Sequence, residues 1–218
     1  GDPAESGVTG ATVLMGVNDE KLKTCQISSN ASCTTNATSP VIAVLKEAIG
    51  IEKAVLNTVH AYTSTQSLVD GPSKKDLRRG RAAALNIIPA STGAAQATTK
   101  AHTELDGKFD GIAIRVPVPV GSIVDVTFVA KKKTTVEEVN TALRKAAVDP
   151  KWKNIFTATD EPIVSSDIIG SRVGSIADLG LTRVVDGDLV KVFAWYDNET
   201  SYTQTLVEHV SAVAKHLS

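Results

Sequence analysis

Two cysteines in 218 residues, Cys25 and Cys33, are too few for a disulfide framework, and a reducing cytoplasm is the compartment they suggest. An excess of either sign of charge is also missing. With 23 Lys and Arg against 24 Asp and Glu, the net charge of -1 argues against nucleic acid or an anionic membrane as the main partner. No stretch approaches the roughly 20 apolar residues of a membrane helix. The opening ten residues carry neither a basic flank nor an apolar h-region, so nothing in them suggests secretion. No internal repeat or low-complexity tract occurs, and no metal site is assigned. Nor does a Gly-x-Gly-x-x-Gly loop follow any strand, with an acidic residue at the ribose-binding offset. An intact dinucleotide-binding unit is thereby excluded from these residues.

What is present is ordinary for a soluble globular chain: 42% hydrophobic and 22% charged residues, enough for one good-sized core or a domain and a half. Residues 11–17 read as an interior strand and residues 25–28 as a short buried one. From 34 to 49, Val41, Ile42, Val44, Leu45, Ala48 and Ile49 recur at helical spacing before Gly50 stops the helix. Cys33 therefore sits at a strand-to-helix corner. There the unpaired N–H groups and the helix dipole favour S⁻ and pull a thiol below its free pKa near ~8.5; the alternative is an inert packing cysteine. Residues 55–63 begin as a β-rich strand and end in His60, which is either a base or a histidine satisfying its own strand end. Strands joined through one helix in a β-α-β unit can lie side by side, which would bring His60 to Cys33.

Further on, residues 112–117 and 123–131 are β-rich, 136–148 has helical periodicity, and 179–185 with 189–195 flank Asp186-Gly-Asp as a hairpin. Long strands with few helices predict an α+β fold, with a mixed or antiparallel sheet covered by helices on one side. Residues 64–88 hold no period. They carry Lys74, Lys75, Arg78, Arg79 and Arg81, an extended basic loop of a length that is usually functional or interface-forming. Arg115 interrupts an apolar strand just before Val116-Pro117, which is costly unless the guanidinium is paired or bound to an anion. Thr92-Gly93 opens an apolar helix; its N–H groups suit a phosphate, although Thr92 as a plain helix cap remains open.

Five motifs in order carry a resemblance: S-N-A-S-C-T-T-N at 29–36, H-A-Y-T at 60–63, N-I-I-P-A-S-T-G-A-A at 86–95, R-V-P at 115–117 and W-Y-D-N-E at 195–199. Together the chain resembles phosphorylating glyceraldehyde-3-phosphate dehydrogenases, across nearly its whole length but without the dinucleotide-binding front half. The resemblance implies residues 1–32 as a remnant of a truncated Rossmann domain (its last strands), 33–197 as the catalytic domain with its long loop 64–88, and 198–218 as the C-terminal helix returning to the cofactor domain. It implies Cys33 as nucleophile and His60 as base, and Thr63, Arg78 and Arg115 on the substrate's phosphate. Ser32, Thr34, Thr92 and Gly93 would hold inorganic phosphate. Asn198 and Tyr202 would meet the nicotinamide of NAD, and the full-length enzyme would be a cytoplasmic homotetramer.

Two departures stand out. Ala37 replaces the family's second cysteine, removing an oxidation partner. Ser201 stands where the family has glycine, and would add strain if that position needs positive φ. Gly71-Pro72 resembles NAD-using members more than NADP-using ones. Three functions follow: the catalytic portion of glyceraldehyde-3-phosphate dehydrogenase, inactive as a dehydrogenase alone; an erythrose-4-phosphate dehydrogenase, which the segment 90–95 disfavours; or a non-catalytic interaction module.

Overall fold

The structure, a computed structural model, describes residues 7–74 and 76–216. In chain order the elements are β1 (Gly10–Thr12), β2 (Ile27–Ser29), α1 (Cys33–Ala48), β3 (Ile51–Ala61), β4 (Ile88–Ser91), α2 (Ala94–Ala101), β5 (Phe109–Val116), β6 (Ser122–Ala130), α3 (Val136–Ala147), β7 (Phe156–Thr159), β8 (Ser175–Val185), β9 (Leu189–Tyr196) and α4 (Thr200–Ala214). Strands β3 to β9 form one mixed sheet in the order β4-β5-β3-β6-β9-β8-β7. Pairing is parallel at β3–β5 and β7–β8 and antiparallel elsewhere. Helices α1 and α3 pack on each other and over β7 to β9, and α2 packs on β5. This is the expected α+β fold.

The sheet's two faces follow from strand alternation. Val124, Val126 and Phe128 of β6 and Val190, Val192, Ala194 and Tyr196 of β9 are buried beneath the helices. Each valine and the phenylalanine among them contributes ~1.5–3 kcal/mol through burial. On the opposite face Val55, Ile112 and Leu189 are exposed around a Lys191–Asp125 ion pair of 2.5 Å. Local signals set the boundaries: Ser32 caps α1, Thr135 and Glu138 form a capping box on α3, and Asp186 (φ 49°) and Gly187 (φ 74°) turn the β8–β9 hairpin with the backbone twist that such turns need.

Several expectations change. The run 11–17 is strand only at its start, because Asn18 takes the Leu14 N–H and donates to the Thr12 carbonyl, folding the chain into a turn. Cys25 precedes β2, whose Ile27 is 47% exposed and not buried. Since β1 and β2 pair in a separate two-stranded parallel sheet, β2 and β3 are not neighbours, and the β-α-β route to a Cys33–His60 contact is not the one used. Ser201 lies inside α4 with its hydroxyl donating to the Asp197 carbonyl, so the anticipated positive-φ strain is absent there. The basic loop is strapped: Gly71 N–H donates to the Gly80 carbonyl and Asp70 accepts from Ala82 N–H and Arg81. Lys75 and residues 1–6, 217 and 218 lie outside the described residues.

His102 joins α2 to α1 through Nε2 and the Ser39 hydroxyl, 2.9 Å apart. Burial, then the Lys46 charge, lowers its pKa to about 4. The unfolded chain takes up this proton near pH 6.5, so the stabilisation is whole above that pH and is lost as pH falls toward about 4. His102→Gln should flatten the acid limb of stability, by up to ~3 kcal/mol. Urea unfolding at neutral and mildly acid pH reads this directly; an unchanged acid limb would exclude His102 as its source.

Candidate active site

Residues 29–36 fold into a turn that presents the first residue of α1. Ala31 is left-handed (φ 56°), Ser32 is extended and its hydroxyl accepts from Thr35 N–H. The Asn36 amide donates to the carbonyls of Asn30 and Ser32, closing the turn. Cys33 is thereby fixed at the helix mouth.

His60 arrives from the sheet. On β3, Leu56, Thr58 and His60 alternate onto the helix-covered face and are all buried. His60 Nε2 lies 3.4 Å from Cys33 Sγ. Its parallel neighbour on β5 is Arg115, residue for residue, and the register is held where Leu56 faces Gly111. A Cβ on Gly111 would come within 2.5 Å of the Leu56 carbonyl oxygen, so glycine is required by close approach. Arg115 Nη1 sits 2.6 Å from His60 Nδ1 and donates to the Ala61 carbonyl at 3.0 Å. Buried Arg115 Nε has no hydrogen-bond partner among the described residues. Sequence reasoning singled out both residues but not their adjacency, which only strand register reveals.

The electrostatics depart from the expectation of a depressed thiol. Burial pushes Cys33 up, against the Thr34 N–H and hydroxyl and the Arg115 charge, which pull it down. Burial, then the Arg115 charge, lowers His60 to about 4. Desolvation thus outweighs the helix mouth, and the protein as folded here favours a neutral thiol beside a neutral imidazole. Behind them Tyr196, fully buried, meets Thr34 Oγ1 at 2.8 Å and Thr58 Oγ1 at 2.9 Å, and stacks edge-on to His60.

The residues assigned to anions divide. Thr34 is buried, its hydroxyl 2.8 Å from that of Tyr196 and its donors turned to the thiol of Cys33. Ser32 is exposed beside Cys33. Thr92 accepts from Ala94 N–H at 3.1 Å and Gly93 caps α2 without a side chain, so Thr92 does shape the helix start. Thr63 Oγ1 meets Thr65 Oγ1 at 2.9 Å. Arg78 is exposed, whereas half-buried Arg79 contacts Ser91 at 3.5 Å and is the guanidinium whose charge reaches Arg115. Arg79, with Thr65, Ser73, Lys74, Asp76 and Ser91, lines a hollow of about 540 Å³. Two adjacent arginines in an aperiodic loop offer no alternation by which to tell them apart. A roomier hollow of about 670 Å³ lies over Lys53, Val55 and Phe109, in a part of the sheet that includes neither Cys33 nor His60.

Residues 32–198 match the family model described as glyceraldehyde 3-phosphate dehydrogenase, C-terminal domain. The chain belongs to this family. It is 51% identical over 207 residues to a glyceraldehyde-3-phosphate dehydrogenase of Mycobacterium tuberculosis, covering 94% of this chain and 60% of that protein. The like-named enzymes of Clostridium acetobutylicum and Borreliella burgdorferi are 49% and 48% identical over 94% of the chain and 61% of each relative. The chain therefore spans about 60% of the length of the relatives it matches. No helix among the described residues is long and apolar enough to cross a membrane.

The family implies NAD. Asn198 is buried with its amide oxygen accepting from Gly121 N–H and the Ser122 hydroxyl, while Nδ2 donates one hydrogen to Glu199. Its second amide hydrogen and the weakly held Tyr202 hydroxyl, 3.4 Å from the Ala31 carbonyl, are a donor set that suits a carboxamide. That fits the nicotinamide end.

Thr34 lowers the Cys33 pKa through two donors, so Thr34→Val should move the pH–rate curve for iodoacetamide labelling of Cys33 upward, slowing labelling at pH 8 by roughly tenfold at most. Peptide mapping separates Cys33 from Cys25. An unshifted curve would show that the hydroxyl does not reach the sulfur.

Proposed function

We propose that this site performs the acyl-transfer chemistry of a phosphorylating aldehyde oxidation, taking D-glyceraldehyde 3-phosphate and inorganic phosphate to 1,3-bisphosphoglycerate. The observation that carries it is the 3.4 Å contact of Cys33 Sγ with His60 Nε2 at a helix mouth, with Arg115 at the register position beside the histidine. Cys33 sulfur attacks the aldehyde carbon, and the carbonyl oxygen, facing the Cys33 N–H and His60, takes the proton to give a hemithioacetal. NAD, when bound, supplies the hydride acceptor that leaves a thioester on Cys33. A phosphate oxygen then attacks the thioester carbon, the C–S bond breaks, and the acyl phosphate departs while the sulfur regains its starting state. His60 moves the proton at each transfer. Arg115, Thr63 and Arg79 are the proposed ligands of the substrate's phosphate, with Ser32, Thr34, Thr92 and Gly93 on the attacking phosphate.

Without a glycine-rich phosphate turn the 218 residues hold NAD by the nicotinamide end through Asn198 and Tyr202, so the chain alone is proposed to lack appreciable dehydrogenase turnover. The reverse half-reaction avoids this limit. Incubated with 1,3-bisphosphoglycerate, the chain should gain the acyl group on Cys33 and release one equivalent of phosphate, visible by intact mass and peptide mapping. Cys33→Ser should lose the adduct and His60→Ala should slow its formation by about 10²-fold. Acylation at Cys25, or none, would refute the reading.

The exposed sheet face bearing Val55, Ile112 and Leu189 is the surface we propose for a second copy, in keeping with the homotetramer the family implies. Ile112→Lys should shift sedimentation of the chain toward monomer. Unchanged sedimentation would place any contact elsewhere.

A further inference from the structure

Just beyond β3 the chain closes a turn on itself through Gln66. The Gln66 N–H donates to the Thr63 carbonyl at 3.0 Å, and the Thr63 N–H donates back to Gln66 Oε1, also at 3.0 Å. One residue thus holds both backbone groups of Thr63. The Thr63 hydroxyl is held more loosely, 3.4 Å from Gln66 Oε1 and 2.9 Å from the Thr65 hydroxyl. A hydroxyl has one hydrogen and two lone pairs, so when Thr65 donates across the short contact, the Thr63 hydrogen has only the long contact to Oε1 and is available to a better acceptor. The backbone is fixed and the donor is free.

Gln66 is a costly residue for a spacer. Its side chain is 7% exposed, and Nε2 is buried with no hydrogen-bond partner among the described residues. Unpaired amide hydrogens in the interior lower stability, and a methionine would fill the same space without them. Reversing the amide gives no relief, because Nε2 would then face the Thr63 N–H, donor against donor. What the position gains in return is the acceptor Oε1, and Oε1 serves Thr63. The same turn lies against the basic loop: the Ser67 N–H donates to the Arg79 carbonyl at 3.1 Å, and Thr65 and Arg79 both line the hollow of about 540 Å³.

We propose that Gln66 is a positioning residue for the phosphorylated substrate. It anchors Thr63 so that the free hydroxyl hydrogen meets the phosphate at the end of the substrate remote from Cys33, and it thereby sets the preference for phosphorylated over unphosphorylated acyl donors. Gln66 acts through Thr63. This rests on the reading of the site as one for a phosphorylated aldehyde.

The test uses the 218-residue chain and two acyl phosphates. With either, the Cys33 sulfur bonds to the acyl carbon, the carbon–oxygen bond to phosphate breaks, and the thiol proton leaves with inorganic phosphate, so intact mass reports the acylation. 1,3-Bisphosphoglycerate carries the remote phosphate; acetyl phosphate does not. Gln66→Met, which keeps the volume and removes the acceptor, should raise the half-saturating concentration of 1,3-bisphosphoglycerate about tenfold while the limiting rate changes by less than about twofold, the pattern of a lost binding contact. Acetyl phosphate should acylate this variant as fast as wild type, whereas a damaged site would be slow with both donors. Thr63→Val should show the same rise for 1,3-bisphosphoglycerate, and Gln66→Met added to it should cost little more, since both act on one contact. Additive losses, equal slowing with acetyl phosphate, or an unchanged half-saturation in Gln66→Met would overturn the role. Should the methionine variant not fold, Gln66→Asn, which keeps an amide but draws it back by one carbon, decides by the same comparison. A wild-type chain acylated by neither donor overturns the proposed function and the role of Gln66 with it. Acylated wild type matched by the Gln66 variants overturns the role of Gln66 alone.

Discussion

Everything at this site depends on the parallel pairing of β3 with β5, which runs from Ala54 opposite Phe109 to Ala61 opposite Val116. Because side chains alternate with a period of two, a slip of β3 by one residue would send His60 to the uncovered face and away from Arg115. The pairing is protected at its centre, where Gly111 lets the two backbones approach beside Leu56, and on the far side by the antiparallel partner β6. Parallel pairing needs a long connection, and the chain from 62 to 108 supplies it with the basic loop, β4 and α2. The loop that brings Arg79 toward Arg115 is therefore the same connection that makes the His60–Arg115 register possible.

Burial has a chemical consequence here. Packing Cys33 against the core keeps most water from its sulfur, but it also raises the energy of the thiolate, and the helix mouth with its ~0.5 charge does not offset that alone. The compensating groups are aimed donors: the Thr34 N–H and hydroxyl, backed by Tyr196, and the Arg115 charge.

Much of this was legible in the sequence, for identifiable reasons. Helix α1 was readable because its apolar residues keep one period and Ser32 caps it, and the β8–β9 hairpin because Asp186-Gly187 tolerates the left-handed backbone. Cys33 and His60 were legible as residues at element ends. Their meeting was not, since the inferred β-α-β neighbourhood was wrong: β2 belongs to another sheet, and contact comes from α1 crossing over β3. The surroundings of Thr34 were not legible, because a hydroxyl beside a cysteine reads the same whether it faces solvent or, as here, a buried tyrosine 162 residues away, Tyr196. The thiol's pKa direction was illegible for a similar reason: the dipole is local and visible in a motif, while desolvation is a property of the assembled layers.

The small β1–β2 sheet and α4 bear on the thiol as well, although they lie outside the main sheet. Three side-chain contacts weld α4 to the turn before Cys33: Ser28 with His209 at 2.8 Å, Asn30 with Thr205 at 3.2 Å, and the Tyr202 hydroxyl with the Ala31 carbonyl at 3.4 Å. All three meet residues 28–31, and the last meets the left-handed residue whose backbone angle sets how α1 begins. Asp197 holds the start of α4 by accepting from the N–H groups of Glu199 and Thr200, while neighbouring Asn198 is tied to Gly121 and Ser122 at the start of β6. The groups that suit a nicotinamide and the turn that aims the sulfur thus share one polar junction. A shift of α4 would move Tyr202 and Ala31 together, preserving the relation between the Tyr202 hydroxyl and the turn that carries Cys33 rather than the absolute position of either.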